Sequence, residues 1–132
     1  MATVLVVEDD VISRYTLAEW LRFEGYEVLE AMSADEAVVI FASILPIDLV
    51  VTDIEMPGSM NGLDLAEQIK ARFPALPVIV VSGKPFTDKL RIGAVTEFFP
   101  KPYDLSKLAA YIATPVPPDK AGPEKLKQAS DE

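Results

Sequence analysis

Four places in the chain carry chemically capable side chains directly after a short apolar run: Glu8-Asp9-Asp10, Asp53, Ser82 and Lys101. Carboxylates held close together in a low-dielectric cleft must be protonated or neutralised. A divalent cation with oxygen ligands neutralises them, and a small one that keeps its waters suits phosphate chemistry. A carboxylate can also attack phosphorus and form a covalent acyl phosphate, which makes Asp53 the candidate nucleophile. The metal would bridge Asp53 and the incoming phosphoryl oxygens; Lys101 would bring a mobile positive charge to another oxygen and Ser82 a hydroxyl donor to a third. Taken singly, each residue has a plainer reading: a solvated loop that caps a helix, a turn aspartate, a surface lysine. Their joint position at the ends of apolar runs is what argues for a site.

Composition narrows the chemistry further. The 132 residues suit one ordinary domain, and half of them are hydrophobic, enough for a core. A formal net charge of −9 argues against nucleic acid as a direct partner. There is no cysteine and no histidine, so disulfides, thiolate chemistry, imidazole bases and cysteine or histidine metal sites are excluded. Any metal must be held by oxygens, which favours magnesium, calcium or manganese. The opening MATVLVV has no basic region before its short apolar run. It reads as neither a signal peptide nor a membrane span, and a cytoplasmic location is expected.

The elements that must position these residues alternate between two periodicities. Thr3–Val7 is an unbroken, β-branched apolar run, as in a strand buried on both faces. Residues from about Ile12 to Glu24 read as a helix with Leu17, Ala18 and Leu21 on one face, ended by Gly25. Tyr26–Ala31 reads as a more polar strand near an edge. Ser33-Ala34-Asp35-Glu36 has the capping-box pattern, opening a helix that Pro46 closes. Asp48–Thr52 and Val78–Val81 are further apolar strands, separated by a loop with Pro57, Gly58 and Gly62 and a helix carrying Leu65, Ile69 and Phe73. Residues 83–97 leave room for only a short helical segment near Asp88–Ile92. Phe98 and Phe99 suggest a fifth strand, and Asp104 opens a helix with Leu105, Leu108, Ala109 and Ile112 on one face. Alternation of this kind predicts an α/β domain with a parallel, doubly wound sheet and its site beyond the carboxyl ends of the strands. The domain is expected over residues 1–113, with 114–132 a Pro-rich polar tail.

VLVVEDD at 4–10, DIEMPGSMNG at 53–62, VIVVSG at 78–83 and FFPKPY at 98–103 together resemble the receiver domains of two-component response regulators. The resemblance covers residues 3 to 112. It implies a flavodoxin-like sheet in the order 2-1-3-4-5, and phosphorylation by a sensor histidine kinase or phosphotransfer protein with Mg2+, for which Mn2+ can substitute. It matches Asp53 to the phosphoacceptor and Glu8 and Asp9 to the acidic pair. It matches Glu55 to the residue lending its backbone carbonyl to the metal, whose ligands are then Glu8, Asp9, Asp53 and Glu55. Ser82 matches the switch hydroxyl, Phe98 the aromatic switch position, and Lys101 the lysine before Pro102. That Lys-Pro bond is commonly cis in the family. The switch so implied moves Ser82 toward the phosphoryl group and Phe98 into the space it leaves.

Departures from the family pattern are informative. Glu8 replaces the commoner aspartate, so its longer arm would reach the metal directly or through water. The loop after Asp53 carries an extra residue. The segment between Ser82 and Lys101 is shorter than usual, which predicts a shortened fourth helix, and Phe98 lacks the hydroxyl of the common tyrosine. The pattern is similar to stand-alone alphaproteobacterial receivers paired with kinases of the HWE type. Output would then run through an unidentified downstream protein partner, with dimerisation left open and no nucleic-acid or membrane contact. Glu55 and Lys84 lie two residues beyond Asp53 and Ser82, and an ion pair between them would hinder the water that removes the phosphoryl group. Two other readings are an aspartyl-phosphate phosphohydrolase with Glu55 as general acid, and a pseudo-receiver that binds partners without phosphorylation.

Overall fold

The computed structural model describes residues 1–43, 46–85 and 91–119. Five strands, β1 (Thr3–Val7), β2 (Glu27–Ala31), β3 (Leu49–Asp53), β4 (Val78–Ser82) and β5 (Glu97–Pro100), form one sheet. Every pairing is parallel and the order is β2-β1-β3-β4-β5. Four helices connect or flank them: α1 (Val11–Phe23), α2 (Ala34–Ser43), α3 (Gly62–Arg72) and α4 (Leu105–Ile112). The expected flavodoxin-like order is therefore observed.

Strand periodicity explains the layers. Val4, Val6, Leu49, Val51, Ile79 and Val81 point to one face, where Leu17 and Leu21 of α1 and Leu108 and Ile112 of α4 cover them. The alternate residues Leu5, Val7, Val50, Val78 and Val80 point to the other, beneath Ala37 and Phe41 of α2 and Leu65 and Ile69 of α3. β1, β3 and β4 are buried at all five positions, which is why they read as continuous apolar runs rather than alternating ones. β2 is the edge strand and the more polar one, as read.

Several local details differ from the sequence reading. The Ser33–Glu36 box forms only in half: the Glu36 amide donates to Ser33 Oγ at 3.1 Å, but the Glu36 carboxylate accepts from the Met32 amide instead of Ser33. The complete reciprocal box is at α3, between Asn61 and Asp64. Between β4 and β5 the described residues contain a single 3-10 turn, Ile92–Ala94. The helical segment expected near Asp88–Ile92 lies mostly outside the described residues, as does the tail from 120 onward.

The packed body also continues past Ala113. Val116 is buried in the α1/α4 core. Its carbonyl accepts a 2.6 Å bond from the Tyr26 hydroxyl, and the Ala2 amide donates to the Pro118 carbonyl. Proline does not exclude packing here, because the segment needs no ladder of its own N–H groups to be held.

Candidate functional site

The order of the sheet reverses between β1 and β3, so the crevice beyond their carboxyl ends is where the connecting loops part. Val7 pairs with Thr52 and Asp53 with Val81, which puts Glu8 and Asp53 at one level of the sheet and Ser82 one residue beyond it. These three polar residues are buried, at 5%, 6% and 1% exposure respectively. Burying carboxylates is costly unless they are paired, and here the partner is Lys101. Its Nζ donates to Glu8 Oε1 at 2.6 Å and to Asp53 Oδ2 at 2.9 Å. The Lys101 amide donates to the Ser82 carbonyl at 2.8 Å, tying the end of β5 to the end of β4. The Lys101–Pro102 peptide is cis.

Burial and pairing pull these groups in opposite directions. Burial is the larger influence on Glu8 and pushes its carboxyl up to about 7; the Lys101 contact opposes this and the Asp53 charge adds to it. Burial also pulls the Lys101 ammonium down, but its bonds to Glu8 and Asp53 together outweigh that and hold it above the ordinary lysine range. The ammonium is thus the firm charge of the site.

Glu8, Asp9 and Asp53 each offer a carboxylate oxygen, and the three oxygens lie within 4.8 Å of one another. An all-oxygen set of this size, one member solvent-exposed, fits a small hard cation that keeps part of its water shell. The Glu55 carboxylate is not in this group. It turns outward to Lys84, whose Nζ lies 3.6 Å from Glu55 Oε2 across the mouth of the crevice. Ser82 Oγ accepts from the Lys84 amide at 3.1 Å. Phe98, on β5 opposite Val80, is half-buried against the α2/α3 core.

Two residues that hold the site were not singled out from sequence. Asp35, in the first turn of α2, accepts from both the hydroxyl and the amide of Ser59. It thereby clasps the long loop that follows Asp53. Beside it Gly58 has φ +108°, and a Cβ there would come within 2.4 Å of Asp35 Oδ2. Arg14 on α1 donates to the Glu8 carbonyl at 3.0 Å. Their partners lie 24 and 6 residues away, and no local pattern announces either.

Comparison with known proteins decides the family. The family model described as the response regulator receiver domain matches residues 4–113. The chain belongs to that family. As a receiver domain it is 36% identical over 109 residues to the transcriptional regulatory protein PdtaR of Mycobacterium tuberculosis, covering 80% of this chain and 52% of that protein. It is 34% identical over 134 residues to the DNA-binding transcriptional regulator NtrC of Rhizobium meliloti, covering 99% of this chain and 27% of that one. Among solved structures, it is similar to the response regulator TrrA of Thermotoga maritima in complex with Mg2+–BeF, at 32% identity and a TM-score of 0.81. That match covers 88% of this receiver and all of that chain. The receiver spans about a quarter of the length of the first curated relatives it matches, at 28%, 23% and 27%. None of its described helices is long and apolar enough to cross a membrane.

Proposed function

We propose that Asp53 is the phosphoacceptor of this receiver and takes its phosphoryl group from a sensor histidine kinase or a phosphotransfer protein. One observation carries the reading: a buried aspartate and a buried glutamate share a single lysine ammonium at the mouth of an all-oxygen cation site. A carboxylate oxygen of Asp53 attacks phosphorus; the new O–P bond forms as the P–N bond to the donor imidazole breaks, and that electron pair returns to the ring. Lys101, already 2.9 Å from Asp53, binds one phosphoryl oxygen, and the Ser82 hydroxyl donates to another. The Lys101 ammonium loses its hydrogen bond to Asp53 Oδ2 as it does so and keeps the one to Glu8.

Glu8, Asp9 and Asp53, with the Glu55 carbonyl, would hold Mg2+, or Mn2+ in its place. Bound there, it would supply the positive charge that lets a dianionic phosphoryl group approach three carboxylates. The complex of TrrA with Mg2+–BeF supports this reading by similarity. The signal then passes by the linked displacement of Ser82 and Phe98, which end and line adjacent strands β4 and β5. The domain acts as a stoichiometric acceptor in the cytoplasm rather than as a turnover phosphohydrolase.

Incubation with acetyl phosphate and magnesium chloride, read by intact-protein mass spectrometry, tests the proposal. The wild type should gain one phosphoryl group and Asp53→Asn none. Labelling of the wild type that is indifferent to removal of the cation by chelator would refute the cation's part in it.

A further inference from the structure

The acidic pair sits on the turn between β1 and α1, and the backbone of Glu8 is fixed at both ends. Its amide donates to the Ala31 carbonyl at 2.9 Å, continuing the β1–β2 ladder one residue beyond the strand. Its carbonyl accepts from Arg14 Nη1 at 3.0 Å. The same guanidinium reaches back through Nε to Glu30 Oε1 at 3.2 Å, near the end of β2. Glu30 is itself held from the far side, since its second oxygen accepts from Arg22 Nη2 at 3.0 Å. Arg14 is only 16% exposed, so the fork is largely screened from water. Immediately after Glu8 the chain turns: Asp10 donates its amide to Glu8 Oε2, and its carboxylate caps α1 by accepting from the Ser13 amide.

We infer that Arg14 is the positioning residue of the cation site: its fork locks the Glu8–Asp9 peptide to β2 so that both carboxylates face Asp53 before any cation arrives. The inference rests on the cation reading given above. Arg14 touches neither carboxylate of the pair. It acts through the peptide between them, as residues behind a ligand commonly set its orientation and metal affinity. A planar guanidinium can serve two acceptors at fixed angles, whereas a lysine ammonium on a flexible stem cannot reproduce that geometry.

Charge and geometry make opposite forecasts here, which sharpens the test. A cation beside the site repels an incoming Mg2+, so deleting it should tighten binding if charge alone matters. Glu30 offsets much of that repulsion. If positioning dominates, deletion should weaken binding.

Isothermal calorimetry of magnesium chloride into the full, unphosphorylated chain distinguishes the two, with urea unfolding in chelator as the check on folding. For Arg14→Ala the dissociation constant should rise about tenfold or more. Arg14→Lys, which keeps the charge and loses the fork, should weaken binding too. Glu30→Ala, which leaves the cation and removes its anchor, should do the same from a residue distant from the carboxylates. Unchanged or tighter binding in Arg14→Ala, or wild-type affinity in Arg14→Lys, would overturn the inference while leaving the cation site standing. Absence of magnesium binding in the wild type would instead refute the site reading on which the inference rests.

Discussion

The Lys101 ammonium lies 2.9 Å from Asp53 Oδ2, a contact between residues 48 positions apart that closes the crevice at the end of β3. The same ammonium holds Glu8 at 2.6 Å, so one positive charge serves two buried carboxylates. Removing it leaves two acidic groups facing one another away from water. Lys101→Met should cost about 2 kcal/mol in chelator: less than a fully buried pair loses on deletion of one partner, because Lys101 keeps 26% of its exposure. Magnesium chloride should restore more stability to the variant than to the wild type. Urea midpoints in the two conditions measure both effects, and equal magnesium responses would contradict the shared-charge account.

α3 starts unusually close to the acceptor backbone. A Cβ added at Gly62 would fall 1.8 Å from the Asp53 carbonyl oxygen and 2.8 Å from its carbon, neither of which can yield as a side chain could. The Gly62 amide also donates to the Ile54 carbonyl at 2.8 Å, so the helix start and the end of β3 are one unit. Gly62→Ala should therefore destabilise by about 3 kcal/mol and slow labelling of Asp53 in the fraction that folds. Wild-type stability in chemical denaturation would show the approach to be looser than described.

At the mouth of the crevice, the Glu55–Lys84 pair is exposed at 49% and 75%, so it adds little to stability. Its effect should be on phosphoryl lifetime. The double variant Glu55→Ala, Lys84→Ala should lose its label faster, with a urea midpoint close to that of the wild type. Decay at an unchanged rate, followed by intact mass against time, would remove the pair from the hydrolysis step.

Acid should unfasten the start of α3. The Asn61 amide, with help from Arg91, holds the Asp64 carboxyl below the usual aspartate value of 3.8. Because the folded state lowers it, Asp64 contributes stability above the unfolded value and loses that contribution as pH falls through the folded one. At neutral pH, Asp64→Asn should be less stable than the wild type by about 1 kcal/mol, typical of a lost cap. The gap should close as the pH is taken below 3.8. A gap that persists in strong acid, by urea unfolding across pH, would assign the loss to shape rather than charge.

The sheet was legible in the sequence because the strands buried on both faces leave an unmistakable record: Thr3–Val7 and Val78–Val81 contain hardly a polar atom beyond the backbone. The polar residues that end them stand out for the same reason, and Glu8, Asp53 and Lys101 were found that way. What escaped were contacts with no local signature. The Asn61–Asp64 box was hidden because Gly62 reads as loop, although it is the first residue of α3. The packing of Val116 was hidden by its prolines, since the groove that accepts it, beside Tyr26 and Ile112, exists only after α1 and α4 have docked. Arg14 and Asp35 act through contacts set by the fold, with the Glu8 carbonyl and with Ser59, and not by any neighbour in sequence.

Reductive trapping addresses the acceptor itself. Borohydride converts an aspartyl phosphate to homoserine, so the chain can be labelled with acetyl phosphate and magnesium chloride, reduced, digested and sequenced by tandem mass spectrometry. The expected result is homoserine at position 53 and at no other aspartate. Homoserine at position 9 or elsewhere, with Asp53 unmodified, would contradict the assignment of the acceptor.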